Sequence, residues 1–125
     1  MAVVHEHFTQ LQGRHPAAGL KELPDGSAVI TVPNIRLPPG WNRQSVGVTF
    51  LVPVGYPMAK PDSFWTEPDL RLGTQGQPKS TGLQTPPFAN EPRLWFSWHA
   101  DRWNPNLDSL LTFLGLVQER LRRPE

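Results

Sequence analysis

Ser97, His99 and Asp101 alternate along a segment rich in tryptophan, flanked by Trp95, Trp98 and Trp103. In an extended chain, residues two apart share a face. The three would then present a hydroxyl, an imidazole and a carboxylate together. That set makes an activated nucleophile, in which the imidazole takes the hydroxyl proton and the carboxylate orients the imidazole. The same alternation also suits an ordinary half-buried strand, with aromatics turned inward, polar residues outward and His99 bonded to a loop backbone. Other chemistries are harder to build from these residues. The chain has no cysteine, which removes thiol catalysis, disulfides and thiolate metal sites. His5 and His7 lie two apart, a spacing that sends side chains to different faces of a helix. His15 precedes Pro16 in a turn, and no zinc-binding spacing is present. The glycines at 73, 76 and 82 fit neither phosphate-loop nor dinucleotide patterns. No metal and no cofactor is expected.

The elements that must position such a site can be read from periodicity and punctuation. Val4, Phe8 and Leu11 recur at helical spacing, and Gly13 and Pro16 end the helix. Two β-prone runs, 20–23 and 27–32, flank Pro24-Asp25-Gly26, a turn in which proline presets φ and glycine supplies a positive φ. Pro38-Pro39-Gly40 marks the next connector. In the run 45–52, Val46, Val48, Phe50 and Val52 share one face. A short fourth strand is expected over 63–66, and residues 73–92 read as a long polar loop. The C-terminal helix carries Leu107, Leu110, Leu111, Leu114, Val117 and Leu121 on one face. Asn106 is its expected N-cap and Pro105 its first signal. Glu119, Arg120, Arg122 and Arg123 suit a solvated end, where cations favour the helix dipole. The expected fold class is α+β: an antiparallel four-stranded meander with an N-terminal and a C-terminal helix packed on it, in one domain spanning 1–125.

Composition narrows the partners. The 125 residues carry a formal net charge of +1 and no basic stripe, so no nucleic-acid partner is expected. No apolar run approaches membrane-spanning length, so no membrane association is expected. The first ten residues hold His5, Glu6 and His7 in place of an apolar export core, and a cytoplasmic location is expected. Fifteen prolines and five tryptophans point to pinned, extended loops on an aromatic core.

The run Val52-Pro53-Val54-Gly55-Tyr56-Pro57-Met58-Ala59-Lys60-Pro61 resembles the Tyr-Pro turn after the third strand of ubiquitin-conjugating enzymes. Trp103-Asn104-Pro105 and the helix after it resemble their Trp-x-Pro stretch, and the order of elements is that of the UBC-like fold. Tyr56-Pro57, Pro61-Asp62, Phe64-Trp65, Leu94-Trp95-Phe96-Ser97-Trp98-His99 and Trp103-Asn104-Pro105-Asn106 together are similar to a prokaryotic branch of that superfamily. The branch is found in bacterial operons beside ubiquitin-like modifiers, activating enzymes and processing peptidases. The resemblance covers nearly the whole chain. It implies a place in bacterial ubiquitin-like conjugation, with a ubiquitin-like modifier and a ubiquitin-activating-enzyme-like protein as partners.

The departures from the superfamily decide the chemistry. Conjugating enzymes hold their modifier on a cysteine about eight residues before the Trp-x-Pro stretch. Here that position is Trp95, and the His-Pro-Asn motif is missing. Thioester transfer by this chain is excluded. Ser63 stands where the resemblance puts a cysteine in some relatives, in a Pro-Asp-Cys-Phe-Trp motif, and it reads as core packing. Two functions remain. One is an acyl carrier that uses an oxyester on Ser97, with His99 as base, Asp101 holding it, and Ser80, Thr81 and Thr85 as the next hydroxyls in line. The other is a catalytically inactive binding module for the modifier or its activating enzyme. In either, Tyr56, Pro57, Trp95, Trp98 and Trp103 are the expected partner-binding residues, with the face extending over 73–92.

Overall fold

The computed structural model describes residues 2–125. Helix α1 (Ala2–Arg14) opens the chain. Strands β1 (Gly19–Glu22), β2 (Ala28–Arg36), β3 (Ser45–Val52), β4 (Phe64–Thr66), β5 (Thr81–Gln84) and β6 (Arg93–Phe96) follow, and helix α2 (Leu110–Leu121) closes it. The strands form one antiparallel sheet in the order β1-β2-β3-β4-β6-β5. The α+β class, the element order and the UBC-like arrangement agree with the sequence. The strand count does not: the sheet has six strands, not four. β1 to β4 make the expected meander. β5 lies inside the segment expected to be loop, and β6 is the start of the aromatic segment.

Register explains why one face of the sheet is apolar. Ala28 pairs with Val52, Ile30 with Phe50 and Val32 with Val48, and all six are buried. The pairing then shifts between Val32 and Ile35, so that Ile35 meets Val46. Asn34 takes φ 61 within this irregularity. One residue gained there keeps Ile35 on the core side, where strict alternation would turn it out. Across β4 and β6, Phe64 faces Phe96 and Thr66 faces Leu94. The rings of Phe64 and Phe96 stack with centroids 4.5 Å apart. The β1–β2 turn forms as expected. Gly26 has φ 94, and Asp25 Oδ1 accepts from the Ser27 amide at 2.9 Å and the Ser27 hydroxyl at 2.5 Å. Those two bonds hold the Asp25 carboxyl below its usual range.

α2 covers the apolar face with Leu110, Phe113, Leu114, Val117 and Leu121, all buried. Phe113 packs edge-on against Phe50 at 5.0 Å. Val4 and Leu11 of α1 join the same core. The start of α2 corrects the sequence reading. Its N-cap is Ser109, whose amide donates to Thr112 Oγ1 at 3.1 Å. Residues 104–108 close on themselves instead: the amide of Asn104 donates to Asp108 Oδ2, and the amides of Leu107 and Asp108 donate to the Asn104 carbonyl. Asn106 is therefore outside the helix, and Leu107 is 80% exposed rather than part of the apolar face. Among the described residues no helix is long and apolar enough to cross a membrane.

Candidate functional site

Past its last paired residue, β6 runs on in extended form through Ser97, Trp98 and His99. Two backbone bonds hold it there: the Ser97 amide donates to the Ser80 carbonyl at 2.8 Å, and the Trp98 carbonyl accepts from the Ser63 amide at 2.8 Å. Alternation does the rest. Phe96 is buried in the core, and Trp98 turns the same way, its indole N–H donating to the Leu116 carbonyl in α2 at 3.2 Å. Ser97 and His99 turn outward together. Ser97 Oγ lies 3.4 Å from His99 Nε2. His99 Nδ1 is hydrogen-bonded to the Asp62 carboxylate.

Two of the three expected residues are thus brought together, and the carboxylate on His99 is a different one. Among the described residues Asp101 makes no hydrogen bond to His99. It lines the same open cleft, of ≈ 510 Å³, with Trp98, Arg102, Glu119 and Arg123. The physical reason is chain direction: the inward alternation continues to Ala100, which is buried, but the chain bends at Asp101, so residue 101 is not carried on beside 99. Asp62 reaches the imidazole from the segment before β4, 37 residues away in sequence. No local spacing reports such a contact. The sequence signal for it is the Pro61-Asp62 pair, which belongs to the family resemblance but stands at no catalytic spacing from His99. The His99 and Asp62 side chains are 54% and 55% exposed, so this is a surface site in contact with water.

The other hydroxyls are placed less well. Ser80 is exposed, and its carbonyl serves the Ser97 amide. Thr81 donates its hydroxyl to the Pro78 carbonyl at 2.7 Å, which occupies its proton. Ser63 is buried, as expected of a packing residue, with φ 63.

Tyr56, Pro57 and Trp103 come together as one cluster. The Trp103 indole N–H donates to the Pro57 carbonyl at 2.8 Å, and its ring lies 6.3 Å from that of Tyr56. Tyr56 is buried, and its hydroxyl meets His7 Nδ1 of α1 at 2.6 Å. Burial pushes the Tyr56 phenol above its usual value, so it stays protonated. Lys60 adds a further tie from its ammonium to the Ala100 carbonyl at 2.6 Å. The segment 56–63 is therefore laced along 98–103 by both backbone and side-chain bonds. Val54 and Met58 bracket the Tyr56-Pro57 turn and are 59% and 79% exposed. Trp95 is half-buried, its ring 6.5 Å from that of Trp65 on the sheet face away from Phe64 and Phe96.

Arg120 corrects the reading of the helix end. It is 2% exposed. Its guanidinium lies 5.2 Å from the Phe96 centroid and 5.9 Å from those of Trp41 and Trp98. It donates to the main-chain oxygens of Arg123, Lys79 and Glu125. Burial lowers its pKa from the usual value, yet an arginine remains charged. This cation braces the back of the Trp98 ring and so the strand that carries Ser97 and His99.

Chemically, a hydroxyl beside an imidazole whose far nitrogen holds a carboxylate can act as a nucleophile with its own base. His5 pairs with Glu22 at 2.9 Å while His7 meets Tyr56, so the two histidines go separate ways. Among the described residues no group of three or more His, Asp or Glu side chains is placed to hold a metal ion. A family model described as Prokaryotic E2 family E matches residues 17–124. Neither a curated protein nor a solved structure matches the chain.

Proposed function

The chain belongs to prokaryotic E2 family E, and from that premise we propose that it is an acyl carrier holding a ubiquitin-like modifier as an oxyester on Ser97. The observation that carries this is the line from Ser97 Oγ through His99 to Asp62. A serine hydroxyl is a weak nucleophile unless a base takes its proton, and this serine has one 3.4 Å away. That distance is long for a hydrogen bond, as unloaded catalytic pairs often are. In the step, Oγ attacks the modifier's C-terminal carbonyl, activated as a thioester on a ubiquitin-activating-enzyme-like protein. The new C–O bond forms and the C–S bond breaks. The Oγ proton passes to His99 Nε2 and then to the departing sulfur. An oxyester is less reactive than a thioester, which suits a slower and more directed transfer.

The test mixes the protein with ATP, the activating enzyme and the modifier. The expected adduct survives reducing agent, is cleaved by hydroxylamine or mild base, and is lost in Ser97→Ala. An adduct unchanged by Ser97→Ala moves the nucleophile to another hydroxyl, with Ser80 first because it lies across the strand pair from Ser97. A second reading, an inactive module that docks the modifier or its activating enzyme, is favoured by the exposed Met58 beside the Tyr56-Pro57 turn and the exposed Leu107. The absence of any adduct leaves that reading as the better account.

A further inference from the structure

We infer that Asp62 is the positioning residue of the Ser97–His99 pair, and that the left-handed backbone at Ser63 is what presents it. This rests on the Ser97 reading and deepens it. The three residues of β4 are buried, and Phe64 and Thr66 face across to Phe96 and Leu94 in the core. Two residues back along an extended chain, Asp62 would point into that core as well. Its side chain is instead 55% exposed. Between them Ser63 has φ 63, in the left-handed region that residues other than glycine enter at a cost. That turn breaks the alternation and swings Asp62 to the surface beside His99. The Ser63 amide donates at the same time to the Trp98 carbonyl at 2.8 Å. Residues 62–63 are thus tied to 98–99 twice, once by backbone and once by the Asp62–His99 bond.

The consequence for the chemistry is the tautomer. A carboxylate accepting from Nδ1–H leaves Nε2 with its lone pair free. Nε2 is the nitrogen that faces Ser97 Oγ. Without a carboxylate at Nδ1 the imidazole divides between two tautomers, and the form protonated at Nε2 cannot take the Oγ proton. Asp62 keeps its charge throughout and gains no proton; it selects the tautomer and steadies the imidazolium that forms.

The experiment uses the full chain in two measurements. One is the rate of ester formation with ATP, activating enzyme and modifier. The other is nitrogen NMR of the His99 ring in the free protein, which reports the tautomer. Asp62→Asn is expected to slow ester formation about ten-fold or more, since an unoriented base forfeits part of a contribution typically of about 10²–10⁴. It is also expected to replace the Nδ1-protonated pattern with a mixed one. Ser63→Gly, which adopts a positive φ without strain, is expected to keep both. An Asp62→Asn rate within about two-fold of the unaltered protein, with the ester still lost in Ser97→Ala, overturns the inference and leaves the Ser97 reading standing. A larger loss in Asp101→Asn than in Asp62→Asn overturns it too. The ring-nitrogen measurement needs no ester, so an unchanged tautomer pattern in Asp62→Asn overturns the inference even where Ser97 forms no adduct.

Discussion

Arg120 is a charge held in the core by aromatic faces and main-chain oxygens, with the charge of Glu125 acting on it as well. Three rings lie within 6 Å of its guanidinium carbon, and the main-chain oxygens of three residues accept its N–H groups. Removing it would empty the space between Trp41 and Trp98 and leave those oxygens without their donor. Arg120→Ala is expected to lower unfolding stability by about 2–4 kcal/mol, from lost cation–π contact and orphaned acceptors, read by denaturant titration. Arg120→Lys should recover little of this, because an ammonium cannot serve three oxygens in a plane while stacking on rings. A loss below ~1 kcal/mol in Arg120→Ala would show that the pocket recloses with water. The residue was legible in part. Position 120 falls three after Val117, on the buried face of α2, but its charge near a helix end made the solvated reading the natural one. Asp62 was less legible, since its partner His99 is 37 residues away and a change of alternation at Ser63 leaves no mark in residue type.

The elements that were legible are those whose burial pattern matches their period. β3 has four apolar residues alternating on one face, and all four are buried. β5 carries no such pattern. Its Thr81–Gln84 sequence is half-exposed and short, and it becomes a strand because β6 offers an edge, with Leu83 opposite Leu94 and Gln84 opposite Arg93. Tertiary pairing overrode weak local preference. The start of α2 was displaced for a comparable reason: Asn104 and Asp108 satisfy a turn of their own, and the helix begins after it. What α2 does for the site is mechanical. Trp98 hangs on its Leu116 carbonyl, and Trp98 lies between Ser97 and His99. Leu114 is 1% exposed within this packing. Leu114→Ala should cost ~2–5 kcal/mol, the range for truncating a fully buried leucine, and thermal or urea unfolding measures it. A cost below ~1 kcal/mol would mean that α2 is peripheral to the core.

For the whole molecule, a net charge of +1 gives little net long-range attraction for a partner of either sign. Recognition must come from short-range contact. Exposed apolar side chains offer it: Met58, at 79% exposure beside the Tyr56-Pro57 turn, and Leu107, at 80% just before α2. Both lie outside the core cluster, so polar replacements there leave folding intact. The expectation is that a ubiquitin-like modifier or its activating enzyme binds through these exposed side chains. Titration calorimetry with each partner should give saturable binding whose affinity changes little with salt. Met58→Ser with Leu107→Ser should weaken it about ten-fold or more, roughly 1.4 kcal/mol, because apolar side chains at the centre of a contact carry a disproportionate share of affinity. The melting temperature of the double variant should match that of the unaltered protein. Binding that is unchanged in the double variant would move the contact to the Trp95 side of the sheet, where Trp65, Phe88 and Trp95 form a second aromatic cluster. No heat with either partner at high micromolar concentration would count against a conjugation role altogether, because carrier and inactive module alike require docking.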